Sequence, residues 1–188
     1  MSEFDRKLSQ LKADLNTQGS RVSDQLLRAV EASFDGNETE AKSVIDSDEV
    51  IDRVDVEIER ACINLLRMGA TEEHSIRSVL TIVKVNNELE RIADLAVLVA
   101  ESAIDSENLI SSAPPTFRVM ANSVVGMARD TTQALADTET ELAIRVLSFD
   151  DTVNRFRREI VLDVQNRTSN GELDPLLAFK LLAVTRSL

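Results

Sequence analysis

Apolar residues recur along this chain at intervals of three and four, the period of a helix turned toward a core. Phe4, Leu8, Leu11, Leu15, Val22, Leu26 and Ala29 form the first stripe, with Gln18 as a polar interruption, and Asp35-Gly36-Asn37 breaks it. A second stripe places Val44, Ile51, Ile58 and Leu65 seven residues apart, with Val54, Ala61 and Met68 between them. Gly69 is placed to end that helix, and Thr71-Glu72-Glu73 offers N-cap chemistry to the next. The third stripe runs through Val83, Ile92, Ala96 and Val99 to about Ala103. Ser111-Ser112-Ala113-Pro114-Pro115 is the clearest boundary, because two prolines stop one helix and open another. Phe117, Met120, Val124, Met127 and Thr131 then begin a new stripe. Sustained heptads joined by short connections predict antiparallel helices in a bundle, an all-α fold.

The chain also repeats itself at an offset of 102 residues. The pairs Asp35/Asp137, Ala41/Ala143, Val44/Val146, Asp48/Asp150, Arg53/Arg155, Ile58/Ile160 and Gly69/Gly171 are identical, and Ile51/Val153 and Val54/Phe156 keep the apolar face. The expectation is two tandem three-helix bundles, residues 1–110 and 111–188. The second copy is shorter: Leu182–Leu188 aligns with Val83–Leu89, so the counterpart of Glu90-Arg91-Ile92-Ala93-Asp94 does not appear. A sixth helix missing its end is expected on that basis, and a full-length transcript closing at Leu188 would contradict it.

Composition narrows the reading. Of 188 residues, 43% are hydrophobic but only 3% aromatic, so Leu, Val, Ile and Ala must make the core. Five Gly and three Pro give little punctuation for hairpins and favour long helices. A net charge of −12 repels nucleic acid and anionic headgroups and attracts cations or basic partner surfaces. Cys62 is the single cysteine, which excludes an internal disulfide and fits a small buried hydrophobe. The first residues show no apolar signal region, and no apolar run approaches the roughly 20 residues that span a bilayer.

Within this acidic chain, Glu90 and Asp94 stand four residues apart, one turn apart on one helix face. Asp48, Asp52, Asp55 and Glu59 form a second acidic set beside the seam of the second helix. Counting outward from the turn near Gly69, Asp94 falls opposite about Ile45 and Glu90 opposite about Glu49. Asp48 and Asp52 are then level with Glu90 and Asp94. Four converging carboxylates need protonation, solvent or a multivalent cation. Oxygen ligands favour hard ions such as Fe3+, Mn2+, Mg2+ or Ca2+, with Zn2+ also admissible. The plainer alternatives are a solvated face for the Asp48 stripe, and for Glu90 and Asp94 a surface salt bridge to Arg91 or Lys84. His74, the lone histidine, reads as a surface residue in a first helical turn. The Glu-x-x-His motif of di-iron bundles is absent, as are phosphate loops and nucleophile motifs, so no catalytic residue is identified.

Leu89-Glu90-Arg91-Ile92-Ala93-Asp94, the preceding Val44–Asp52 segment and the tandem repeat together resemble the PhoU family. The resemblance implies a six-helix fold of two three-helix bundles with a Glu/Asp-x-x-x-Asp signature in each repeat. It implies a cytoplasmic, non-enzymatic regulator of phosphate uptake. Such a protein binds metal, forms a homodimer, and connects a phosphate ABC transporter to a sensor histidine kinase in negative regulation at the inner face of the membrane. Carried over by residue, Glu90 and Asp94 match the signature, and Asp48 and Asp52 match acidic positions of the preceding helix. Two departures stand out: Asn154 replaces the counterpart of Asp52, and Arg67–His74 lacks the family's usual Gln-x-Pro stretch. Competing readings are a metal-dependent helical-bundle enzyme and a structural helical scaffold. Bound metal would separate both metal readings from the scaffold, and turnover would separate the enzyme from the regulator.

Overall fold

The structure is a computed structural model that describes residues 2–69, 72–105 and 109–188. Its helices are α1 (Glu3–Asp35), α2 (Glu38–Arg67), α3 (Glu73–Asp105), α4 (Pro115–Asp137), α5 (Thr140–Ser169) and α6 (Pro175–Ser187), with a single 3-10 turn at Ile110–Ser112 before α4. The described residues contain no strand.

Local chemistry sets the helix ends. The Ser2 hydroxyl accepts from Asp5 N–H while the Asp5 carboxylate accepts from Ser2 N–H, a reciprocal cap. Asn37 caps α2 by accepting from Glu40 N–H at 3.1 Å. Asp174 accepts from Leu176 and Leu177 N–H, and Pro175 opens α6 where its missing N–H is harmless. The expected cap at Thr71 lies outside the described residues.

Contacts between helices fix their directions. Gln18 reaches the Ile51 carbonyl and Gln25 reaches Asp48, so α1 and α2 run antiparallel. Ser33 donates to the Val99 carbonyl at 2.6 Å, while Leu89 lies beside Gly19, so α1 and α3 run parallel. Ser23 meets Thr132 at 3.0 Å, and Phe34 meets Phe117 edge-on with centroids 5.9 Å apart, so α4 runs back along α1. The Arg118 guanidinium caps that corner 4.0 Å from the Phe34 ring.

The heptad seam of α2 is buried as its spacing predicts: Val44, Ile51, Ile58 and Leu65 are each at most 3% exposed. Each fully buried residue of this kind contributes on the order of 1.5–3 kcal/mol. Ile51, Ile58 and Leu65 join Leu11, Leu15, Val22, Cys62, Val79, Ile82 and Ala93 in one apolar cluster drawn from α1–α3. A second cluster joins Leu26, Val30, Val44 and Val99 to Phe117, Met120, Ile160 and Leu181, so α4–α6 close on the far end of α1–α3. Gln18 stays within the α1 stripe: it is 1% exposed and donates 2.8 Å to the Ile51 carbonyl, while its own Oε1 is buried without a partner. The aliphatic shaft of a bonded glutamine fills the seam as an apolar residue would.

The 102-residue offset is visible in the turns. Gly69 and Gly171, at matching positions, have φ of 87° and 74°. Gly36 has φ 62°, and its counterpart is Thr138 at φ 56°, the one non-glycine residue with positive φ among the described residues. A β-branched residue in the left-handed region is strained, whereas glycine is not. Thr138→Gly is therefore expected to stabilise the protein by about 1 kcal/mol. Urea unfolding followed by circular dichroism would measure it, and a lower midpoint would refute the strain.

Candidate metal centre

The α2 face beside the buried seam carries Asp48, Asp52 and Asp55, and α3 presents Glu90 and Asp94 across from it. Asp48, Asp55 and Glu90 are half-buried, while Asp52 and Asp94 are exposed. The register is fixed by Asn86, buried to 2% exposure, whose Nδ2 donates to Asp55 Oδ1 at 2.6 Å and to the Asp55 carbonyl at 3.1 Å. Antiparallel counting from that contact sets Glu90 level with Ile51 and Asp94 level with Ser47, two residues along from the positions expected from the turn. Asp48, Asp52 and Asp94 all remain close enough to Glu90 for their charges to act on it.

Mutual repulsion marks this face. Glu90 is raised above the ordinary carboxyl range, first by desolvation and then by the charges of Asp94, Asp55, Asp52 and Asp48. Asp52 is raised by desolvation, then by Asp48 and Asp94. Asp55 is raised by desolvation, then by Glu59 and Asp52.

Among the described residues none of the five carboxylates has an ion pair. Arg91, offered by the sequence as a partner, pairs with Glu88 at 2.9 Å instead. The surface-salt-bridge reading of Glu90 and Asp94 through Arg91 thus has no support in the geometry.

An oxygen-only donor set with uncompensated charge has the chemistry of a hard-cation site. Among the described residues, however, no three Asp, Glu, His or Cys side chains close to the spacing of metal ligands. A cation held here would need the exposed Asp52 and Asp94 side chains to turn toward Asp48 and Glu90.

Three residues of this region were not singled out as site residues by the sequence. Asp55 was read as part of the acidic stripe alone. Asn86 and Gln25 are neutral amides whose role depends on burial, and Gln25 Nε2 donates to Asp48 Oδ1 at 3.0 Å. Asn86 sits one turn before Glu90, which is the signal that could have found it.

The corresponding place in α5 differs. Asp150 accepts from Asn154 Nδ2 at 2.8 Å on its own helix, so the Asn that replaces a carboxylate also occupies its partner's oxygen. His74 is exposed in the first turn of α3, and Cys62 is buried with its thiol pushed up by desolvation. A separate groove of about 750 Å³ runs between α1, the start of α3, the end of α4 and the start of α5. Leu15, Ile82, Leu135, Ala143, Val146 and Leu147 give it an apolar floor, and none of the carboxylates lines it.

A bundle of six helices, with a carboxylate face between its second and third, defines an all-α class of protein. Residues 15–103 match the PhoU domain, and the chain resembles proteins of that name along nearly its whole length. It is 29% identical to the phosphate-specific transport system accessory protein PhoU homolog 1 of Thermotoga maritima, over 98% of this chain and 81% of that protein. It is 26% identical to PhoU of Escherichia coli, over 85% of this chain and 66% of that protein. The fold matches the crystal structure of PhoU from Pseudomonas aeruginosa with a TM-score of 0.90 at 24% identity, covering 98% of this chain and 90% of that one. It matches the phosphate transport system regulatory protein PhoU from Streptococcus pneumoniae with a TM-score of 0.89 at 20% identity, covering 98% and 87%.

The raised carboxyls have a measurable consequence. Each binds its proton more tightly folded than unfolded, so each favours the folded state below its unfolded value and loses that contribution as pH rises through the folded one. In chelator, thermal stability should therefore rise as pH falls from 7 toward the upper carboxylate range. Asp52→Asn combined with Glu90→Gln should flatten that slope. An unchanged slope in the double variant would show that these groups do not repel.

Proposed function

We propose that this protein is a non-enzymatic accessory regulator of a phosphate transport system, working at the cytoplasmic side of the membrane. Its similarity over 98% of its length to a protein named for that role carries the reading. No helix among the described residues is long and apolar enough to cross a membrane, so contact with a transporter would run through protein surfaces.

In this reading a hard cation such as Fe3+, Mn2+, Mg2+ or Zn2+ is held by Glu90, Asp94, Asp48 and Asp52. The observation in its favour is the uncompensated repulsion on that face. Neutralising the charge would let α2 and α3 present one fixed surface to a phosphate ABC transporter and a sensor histidine kinase. The adaptor would restrain uptake and the phosphate-starvation response when phosphate is plentiful, acting as a homodimer.

The first test is metal content by mass spectrometry on protein purified without a metal column. Wild type should carry stoichiometric metal, and Glu90→Ala/Asp94→Ala should lose it while keeping its helicity. Full loading of the double variant would overturn the site assignment. In cells lacking the protein, phosphate uptake should stay high in rich medium and fall on complementation. Uptake indifferent to the protein would overturn the regulatory reading.

A further inference from the structure

The groove of about 750 Å³ has a counterpart 102 residues earlier in the chain, and there it is filled. Its floor includes Ala134, Ala143, Val146 and Leu147, which correspond to Ala32, Ala41, Val44 and Ile45. In the first repeat Ala32, Ala41 and Val44 are at most 2% exposed, and Ile45 is half-buried. The second half of α3 covers them. Ser33 donates 2.6 Å to the Val99 carbonyl, and Ala96, Val99 and Ala100 share one apolar cluster with Ala32, Ala41 and Val44. In the second repeat Ala143 and Val146 are only half-buried, and Leu147 is 74% exposed. The same positions thus carry apolar surface that a helix covers in one repeat and no described helix covers in the other.

We infer that this groove is the docking site for one amphipathic helix of a partner protein, acidic beside a stripe of small apolar residues. Shape points to a helix. At a diameter of about 10 Å and a rise of about 1.5 Å per residue, 750 Å³ holds about two turns. That is the length of α3 from Ala96 to Ala103, whose Ala96, Val99, Ala100 and Ala103 fall at i, i+3, i+4 and i+7. Small side chains at those positions let one helix lie close between others, and an apolar groove read at that spacing is a recurring mode of recognition. Charge points to acidic flanks. The rim formed by α1 and α3 carries Lys12, His74 and Arg77, all exposed. Arg77 is shared with Glu73 at 2.7 Å, and Lys12 has no ion pair among the described residues. The single carboxylate of the lining, Glu139, is engaged by Arg145 at 3.6 Å. In a chain of net charge −12 such a mouth is a local exception, and it complements a helix bearing Asp or Glu beside its apolar stripe. The inference stands apart from the cation reading, because no carboxylate of the α2–α3 face lines the groove.

The probe is a fluorescein-labelled peptide of Glu88–Asp105, the α3 segment that covers the first repeat and itself carries Asp94 and Glu101. Fluorescence anisotropy would follow its binding to the whole chain. Wild type should bind it saturably and should not bind a scrambled peptide of the same composition. Leu147→Glu should weaken binding about tenfold by placing a charge in the wall of the groove. Lys12→Glu should weaken it severalfold and reduce its dependence on salt. Leu176 is an exposed apolar residue of α6 outside the groove, at 63%, and Leu176→Glu should bind as wild type does. All three variants should keep their helicity by circular dichroism, since each replaces an exposed side chain. Binding no tighter than that of the scrambled peptide would overturn the inference, and so would equal loss in Leu147→Glu and Leu176→Glu. Sedimentation in which Leu147→Glu turned a dimer into a monomer would also overturn it, by assigning the groove to a second copy of this chain.

Discussion

Everything in this molecule depends on how the buried seam of α2 constrains its acidic neighbours. A helix fixes the angle between any two of its residues, so burying Val44, Ile51, Ile58 and Leu65 leaves no choice about where Asp48, Asp52 and Asp55 lie. They must sit at the border of the seam, close enough to apolar atoms to lose solvent and close enough to α3 to meet Glu90 and Asp94. The raised carboxyls are the electrostatic record of that constraint. The hydrophobic effect at the seam supplies the free energy that holds like charges together, and this is how a stable bundle can maintain an unfavourable surface without losing its fold.

The sequence carried the fold well because its signal was periodic. Heptads at Val44–Leu65 needed only helical geometry to become a buried stripe, and the Gly36, Gly69 and Pro114-Pro115 breaks fell where turns occur. The carboxylate face was legible for the same reason, since Glu90 and Asp94 lie on one helix with fixed spacing. Relations between helices were less legible. The α2–α3 register stands two residues from the count, because it is set by the Asn86–Asp55 contact between the helices and not by helix periodicity. Gln18 read as a blemish in an apolar stripe, and Gln25 was not read at all. Whether a glutamine faces water or a neighbouring carbonyl depends on a partner helix that no local pattern reveals. The choice between a salt-bridged and an unpaired Glu90 was likewise invisible, because Arg91 can swing to either side and geometry sends it to Glu88.

The two copies of the repeat have diverged in chemistry more than in backbone. Thr138 adopts the left-handed turn of Gly36, and Gly171 that of Gly69. Yet where α2 sets carboxylates apart to repel, α5 bonds Asp150 to Asn154 and relieves the charge locally. One geometry thus supports crowded carboxylates in one place and a carboxylate bonded to an amide in the other. The backbone fixes position, and the side chains decide whether that position stores repulsion.

The first helix has a mechanical consequence. On one side its Gln25 grips Asp48; on another, Gly19 lies so close to α4 that an added methyl would stand 3.0 Å from Thr132. Such close packing has little slack, and densely packed interiors transmit displacement instead of absorbing it. Any roll of α1 about its axis would meet Thr132 and the helix that carries it. α1 is in this sense a shared axle, seated at once against the acidic surface and against the opposite half of the molecule.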